Sequence, residues 1–379
     1  MKIETFRMER EQCLYENAVE YNLSESGVLP LQLDELLDGD VERTRFLAQR
    51  LWYPSSDGSP KLREQIAKFY PNCTPENITV TNGGSEANYV TLMSLLDKGE
   101  RLACMLPNYM QAWGLGRTYA NGSDAFHLVP DGSERDKRWA LDIVELKKAV
   151  TRKTKVILVT NPNNPTGAVL TEEEMNAVVE VARKAKAWLV VDEIYRGAEY
   201  DGPTTPTFWG RYDKVVITSG LSKAFAMPGL RLGWVVAPPK LIKQLWIHHD
   251  YLTLTPNVLS DYLATIAMEP VRREALLTRT KQIIKINLPP IEAWFIKRSD
   301  LFNYTRPKAG AIIYFTYNLP IKPQALIDRL RVEKSVLLVP ANHFGMSHKG
   351  IRTGYGYDMD KTLKGLARME DFMKHLKVK

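Results

Sequence analysis

The sequence predicts an α/β fold, with a mainly parallel central sheet in a large domain and a smaller α+β domain beside it. Three observations lead there. Between about residues 60 and 240, short apolar runs of strand length alternate with stretches of helical periodicity. The runs are continuously apolar, which marks strands covered on both faces, as in a parallel sheet flanked by helices. After about residue 270 that alternation stops, and long helical stretches separate only a few apolar runs.

The predicted strands of the large domain are Ile78–Thr81, Arg101–Leu106, Ala125–Val129, Lys155–Thr160, Ala187–Asp192, Lys214–Thr218 and Leu232–Ala237. Glu172–Ala185 carries its apolar residues at helical spacing. Farther on, Ile312–Tyr317 and Val336–Pro340 read as strands, and Lys361–Leu376 as a final helix. The expected division is 1–45 as an N-terminal part of the small domain, 46–280 as the large domain and 281–379 as the rest of the small one. Ligands of such sheets lie beyond the carboxyl ends of the strands, near the cleft between domains. Polar residues that follow strands are therefore the candidates.

Composition removes several classes of function. The 379 residues are 44% hydrophobic, enough to build a core. The net charge of +7 comes from 51 basic and 44 acidic residues that are interspersed, and pairs such as Lys147-Lys148 and Arg272-Arg273 read as solvated helix faces. No nucleic-acid partner is expected. Three cysteines without CxxC spacing and six histidines without HExxH give neither a disulfide framework nor a metal site. Met1–Leu23 is charged throughout, unlike a signal peptide, and no apolar run reaches membrane-spanning length. A soluble, cytoplasmic protein with no membrane partner is expected.

Four segments can carry chemistry. In Ser222-Lys223-Ala224-Phe225-Ala226-Met227-Pro228-Gly229-Leu230-Arg231, a lysine follows a buried strand and an arginine follows the lysine. Desolvation favours the neutral amine that attacks a carbonyl, and an arginine can grip a phosphate. Taken alone, the segment is equally a surface turn with two solvated cations. In Val190-Val191-Asp192-Glu193-Ile194-Tyr195, a carboxylate ends an apolar strand. It either caps the next helix or finds a buried cation, and a protonated pyridine nitrogen would serve. Asn161-Pro162-Asn163-Asn164-Pro165-Thr166-Gly167 is a loop stiff enough to aim a side-chain amide, or simply a proline-rich connection. Thr81-Asn82-Gly83-Gly84-Ser85-Glu86-Ala87 is a glycine-rich strand-to-helix turn suited to an anion, but it matches neither a Walker loop nor GxGxxG.

In this order, NPNNPTG, DEIY and SGLSKAFAMPGLRLGW resemble the class I/II aminotransferases, pyridoxal 5'-phosphate (PLP) enzymes of fold type I. The resemblance runs from Tyr53 to Arg352 and implies an enzyme that moves an amino group from an α-amino acid to a 2-oxo acid. It implies that Lys223 holds the cofactor as a Schiff base and carries the proton at Cα. It pairs Asp192 with the ring nitrogen and sets Asn164 and Tyr195 at the ring hydroxyl. Tyr109 would stack on the ring, and Gly84, Ser85, Glu86, Ser222 and Arg231 would complete the cofactor site. Tyr53 would cross to the phosphate of a second subunit, making a homodimer, and Arg352 would clamp the substrate carboxylate. Gly27 and Asn164 would also lie near the substrate.

Two positions depart from the family pattern. Gly220 stands where a phosphate-binding hydroxyl is common, so Ser219 or Ser222 must compensate. Pro340-Ala341 replaces the usual Pro-Gly. Leu23–Val28 and Asp250–Leu254 are also similar to the branch containing capreomycidine synthase, which turns the same apparatus to elimination and ring closure on an arginine-derived substrate. Glu16, Glu20 and Glu25 lie in an N-terminal stretch without a cation, and Glu25 is the leading candidate to meet a basic side chain. The rival to amino transfer is therefore a PLP-dependent lyase, cyclase or oxidase acting on an arginine-like amino acid. A ligand-sensing regulator would need a DNA-binding domain for which the family-like region leaves no room, and a nicotinamide dehydrogenase lacks its glycine fingerprint.

Overall fold

A computed structural model describes residues 3–133 and 137–377. Its eight-stranded sheet runs, from one edge, Ile78–Thr81, Gly233–Val236, Val215–Gly220, Trp188–Asp192, Thr154–Thr160, Arg101–Leu106, Ser123–Asp131 and Arg138–Leu141. The five strands from Val215–Gly220 to Ser123–Asp131 are mutually parallel. Gly233–Val236 runs antiparallel to both its neighbours, and Arg138–Leu141 antiparallel to Ser123–Asp131. The seven predicted strands all form, within two residues at either end. Arg138–Leu141 was not expected. It is a short edge strand with little periodicity, and it exists because it pairs with its neighbour.

The helix Glu172–Ala185 forms where its periodicity places it, and its ends explain why. Thr171 and Glu174 make a reciprocal capping box, three glutamates fill the first turn, and Arg183 and Lys184 fill the last. Met175, Val178, Val179 and Ala182 give it a buried face. The sheet register matters most for function. Thr160 is opposite Asp192, and Asp192 is opposite Thr218, so three polar residues line up at the carboxyl edge of a buried apolar sheet.

A second, antiparallel sheet is ordered Phe302–Tyr304, Ile312–Tyr317, Gly350–Gly354, Val339–Pro340. The expected strand Val336–Pro340 is two short pieces, of which Val336–Leu337 pairs in parallel with Tyr21–Asn22. From there the N-terminal chain passes along this sheet: the Gly354 amide donates to the Leu23 carbonyl at 2.8 Å, and the Leu29 amide to the Gly356 carbonyl at 2.9 Å. That approach is possible only because positions 354 and 356 have no side chain. A Cβ at 354 would strike the Glu25 carbonyl, and one at 356 the Gly27 carbonyl. Among the described residues no helix is long and apolar enough to cross a membrane.

Gly354→Ala should therefore push residues 24–27 off the sheet and cost about 1–3 kcal/mol, the usual range for overpacking. A melting temperature equal to the wild type's would mean that the N-terminal segment yields without strain.

Candidate active site

At the carboxyl edge of the large sheet lies a cavity of about 460 Å³. Its walls bring together Glu25, Gly84, Ser85, Tyr109, Asn164, Asp192, Tyr195, Ser222, Lys223 and Arg231, ten of the residues singled out in the sequence. Lys223 sits just past Val215–Gly220, and Asp192 ends the neighbouring strand. Burial lowers the basicity of the Lys223 amine and raises the Asp192 carboxyl above its usual range. Asp192 accepts from Asn88 Nδ2 at 3.1 Å and from the Ile194 amide at 3.0 Å, and no ion pair is found for it among the described residues. A carboxylate held only by neutral donors in a buried site is short of a cation.

Asn88 was not foreseen. Its carbonyl oxygen accepts from the Thr218 hydroxyl at 2.6 Å, so one amide braces the ends of two adjacent strands. The sequence offers no sign of this, because Asn88 lies in mid-helix, in Gly84–Leu95, and finds its partners only through packing.

Tyr195 is 3% exposed, and its hydroxyl, with the Ser26 side chain nearby, makes no hydrogen bond of regular geometry. Burial pushes its pKa up to about 12, so it stays protonated and can donate to a ligand. Tyr109 is held protonated in the same way, first by burial and then by the Glu9 carboxylate. The asparagine loop is pinned as its prolines and glycine suggest. Asn161 accepts from the Leu170 amide at 3.0 Å, and Asn163 donates to the Pro107 carbonyl at 3.1 Å. Asn164 Oδ1 accepts from Arg352 Nη1 at 2.9 Å.

Arg352 itself is 1% exposed. Its guanidinium also donates to the Ser24 carbonyl and packs over the Phe344 ring at 5.1 Å. Its Nε has no partner, and among the described residues no carboxylate forms an ion pair with it. It is thus a buried cation short of an anion, just as Asp192 is a buried anion short of a cation.

The glycine-rich turn is shaped around Arg231. Gly83 has φ +100°, and a Cβ there would lie 2.5 Å from Arg231 Nη2. Arg231 Nη1 donates to the Pro228 carbonyl at 2.9 Å and to Ser222 Oγ at 3.4 Å. With the N-terminus of the helix Gly84–Leu95 this makes an anion site. Of the two candidate hydroxyls, Ser222 lines the cavity, whereas Ser219 is buried with its hydroxyl 3.4 Å from the Glu193 carbonyl. Gly220 admits no hydroxyl-bearing side chain, because a Cβ would lie 2.8 Å from the Leu232 carbonyl.

Four candidates lie outside the cavity lining. Glu86 accepts from the Asn82 amide and, at 2.7 Å, from the Thr253 hydroxyl. Gly27 approaches Lys223 from behind, where a Cβ would lie 3.9 Å from Lys223 Cδ. Arg352 reaches the site through Asn164. Tyr53 is 74% exposed and borders a separate cavity with Asn82 and Asn257. Conversely, Met8, Glu9, Gln12 and Cys13, from the helix Arg7–Tyr15, line the cavity although the sequence reading passed over them. They recur at helical spacing, but no local motif sets them apart from the rest of a charged N-terminal stretch.

The chemistry on offer fits pyridoxal phosphate: a depressed amine for its aldehyde, an unpaired carboxylate for its ring nitrogen, an unpartnered phenol, and an arginine beside a glycine turn for its phosphate. Asn88→Ala would leave Asp192 and Thr218 each missing a buried partner. It should cost about 1.5–3 kcal/mol, the worth of a hydrogen bond to a charged group. An unchanged thermal midpoint would show that Asn88 braces nothing.

The chain is similar to known proteins in sequence and in fold. Residues 43–368 match the family model for aminotransferase class I and II. A putative aminotransferase, YugH, of Bacillus subtilis (strain 168) is 27% identical over 85% of this chain and 83% of its own. Capreomycidine synthase of Streptomyces vinaceus is 26% identical over 92% of this chain and 89% of its own. Among solved structures, a PLP-dependent aminotransferase from Streptococcus suis 89-1591 superposes with a TM-score of 0.90 at 27% identity, over 99% of both chains. The chain belongs to the class I and II aminotransferases.

Proposed function

We propose that this PLP-dependent aminotransferase moves the amino group of an α-amino acid to a 2-oxo acid through Lys223, Asp192, Asn164, Tyr195 and Arg352. The observation that carries the reading is the pair of buried, unmatched charges, Asp192 and Arg352, in the neighbourhood of a lysine whose basicity burial lowers. The cofactor supplies, when bound, a conjugated ring that withdraws electrons from the substrate Cα. Lys223 anchors that ring through its amine and moves the proton to and from Cα. Asp192 keeps the ring nitrogen protonated. Tyr195 and the amide of Asn164 hold the ring hydroxyl, Tyr109 stacks on the ring, and Ser85, Ser222 and Arg231 hold the phosphate. Arg352 takes the substrate carboxylate as a bidentate partner.

The same reading makes the protein a cytoplasmic homodimer in which Tyr53 reaches the neighbouring subunit's phosphate. Its support is an apolar patch of Leu51, Trp52 and Tyr53, exposed at 82%, 77% and 74%. Cys13, Cys73 and Cys104 are all unpaired, which suits a reducing compartment. We assign residues 1–45 and 281–379 to a small domain and 46–280 to the large one, with the helix Pro270–Ile296 spanning the boundary. Elimination or ring closure is the second reading, favoured by the similarity to capreomycidine synthase. Product analysis separates the two, since transfer alone converts an added 2-oxo acid into its amino acid.

Lys223→Ala should abolish borohydride trapping of the cofactor on the chain and nearly all turnover. Retention of both would remove Lys223 from its role. Tyr53→Phe should weaken cofactor binding about tenfold, the worth of one hydrogen bond to a charged group, and leave a dimer in sedimentation. An active monomer, or unchanged cofactor affinity, would contradict the cross-subunit contact.

A further inference from the structure

The cavity that contains Lys223 and Asp192 is also lined by Glu9, Glu16 and Glu25. Glu9 lies on the helix Arg7–Tyr15, Glu16 is that helix's C-cap, and Glu25 comes from the N-terminal segment that crosses the small sheet. The helix is held in place from other sides: Phe6 packs on Tyr109 with ring centroids 4.7 Å apart, and Glu11 meets His343 at 3.4 Å and Gln324 at 2.8 Å. Among the described residues, Glu9, Glu16 and Glu25 have no ion pair. Neighbouring glutamates do, since Glu4 pairs with Arg117 at 3.3 Å and Glu20 with Arg368 at 2.7 Å. Glu20, which the sequence placed with Glu16 and Glu25, is thereby turned away from the cavity.

The three carboxylates feel one another and the catalytic groups. Burial, then Glu25 and Glu9, raise the Glu16 carboxyl above its usual range. Glu25 and Glu9 in turn favour the charged forms of Lys223 and Arg352. They therefore lie within electrostatic reach of the place where a substrate's Cα and carboxylate would sit. The cations of the cavity lining are Lys223 and Arg231, both committed to the cofactor under the proposed function, and Arg352 is committed to the α-carboxylate. In the filled site those positive groups are matched, and three carboxylates remain without a counter-charge, an arrangement that costs stability unless a cation arrives. The Tyr195 hydroxyl, buried and without a hydrogen bond of regular geometry, opens on the same cavity and marks it as built for a ligand.

We propose that the amino donor carries a cationic side chain, a guanidinium or an alkylammonium, received by Glu9, Glu16 and Glu25, and that the same carboxylates turn away dicarboxylic amino acids. This rests on the aminotransferase reading of the site and goes beyond it by naming the substrate class. It also separates this chain from its relatives named as aspartate aminotransferases.

The test uses the cofactor-loaded enzyme with L-arginine, L-ornithine, L-aspartate and L-citrulline, which matches arginine in length but has a neutral end. Binding is followed by calorimetry on Lys223→Ala loaded with cofactor, and the reaction by the cofactor's absorbance in the wild type. Arginine or ornithine should bind at least about tenfold more tightly than citrulline, with aspartate weakest, as expected for a desolvated charge pair. Introducing Glu25→Gln or Glu16→Gln should erase most of the gap by raising KM for the cationic donor far more than for citrulline. Equal affinity for cationic donors and citrulline, or equal loss for both in the glutamine variants, overturns the proposal. Turnover of aspartate or alanine with no preference for a cation would sink the substrate assignment and leave the aminotransferase reading standing. Failure of every amino acid to alter the cofactor's absorbance would sink the aminotransferase reading, while the calorimetry would still decide the charge preference.

Discussion

One buried guanidinium joins the parts of this molecule that make the site. Arg352 rises from the small sheet, donates to Asn164 in the loop after Thr154–Thr160, and donates to the Ser24 carbonyl in the N-terminal segment. Three stretches far apart in sequence are thus ordered by one side chain that finds no carboxylate of its own among the described residues. A buried arginine held only by neutral acceptors keeps its charge at a cost. That cost is tolerable because the loop and the N-terminal segment are both fixed elsewhere, the first by Asn161 and Asn163, the second by its backbone bonds to Leu337 and Gly354. Under the proposed function that unspent charge is what receives the substrate carboxylate.

Asp192 is the mirror case. The sheet register sets it beside Thr160 and Thr218, and Asn88 holds it from the covering helix. Both charges are positioned by rigid elements, Asp192 at the end of its strand and Arg352 in the middle of Gly350–Gly354, so each is preorganised before a ligand arrives. Lys223 lines the same cavity as Asp192, and burial, with Gly27 packed near its side chain, lowers the basicity of its amine.

The N-terminal helix adds a wall whose character is opposite to that of the rest. The inward faces of the other helices are mainly apolar; here Glu9 and Gln12, with Glu16 at the cap, line a cavity. A helix of this kind obeys the geometry of amphipathicity while inverting its usual meaning. The polar inner face leaves the helix to be held by Phe6 on Tyr109 and by Glu11 against His343 and Gln324.

By itself the sequence determined the parallel sheet, because strands buried on both faces must be continuously apolar and helices between them must repeat every three or four residues. It also singled out most of the cavity lining, since Lys223, Asp192, Asn164 and Arg231 each follow a strand or stand in a turn whose glycines and prolines constrain the backbone. Tertiary structure alone decided what these groups touch. Asn88 reads as one more polar residue in a helix until Thr218 and Asp192 meet it, and Arg138–Leu141 is no strand until Ser123–Asp131 offers an edge. It also decided which glutamates matter: Glu20 is spent on Arg368, whereas Glu9 joins Glu16 and Glu25 in the cavity. Local patterns record whether a residue is buried in a regular element. A polar residue facing a cavity and one facing solvent obey the same local rule, so only the packing of distant segments tells them apart.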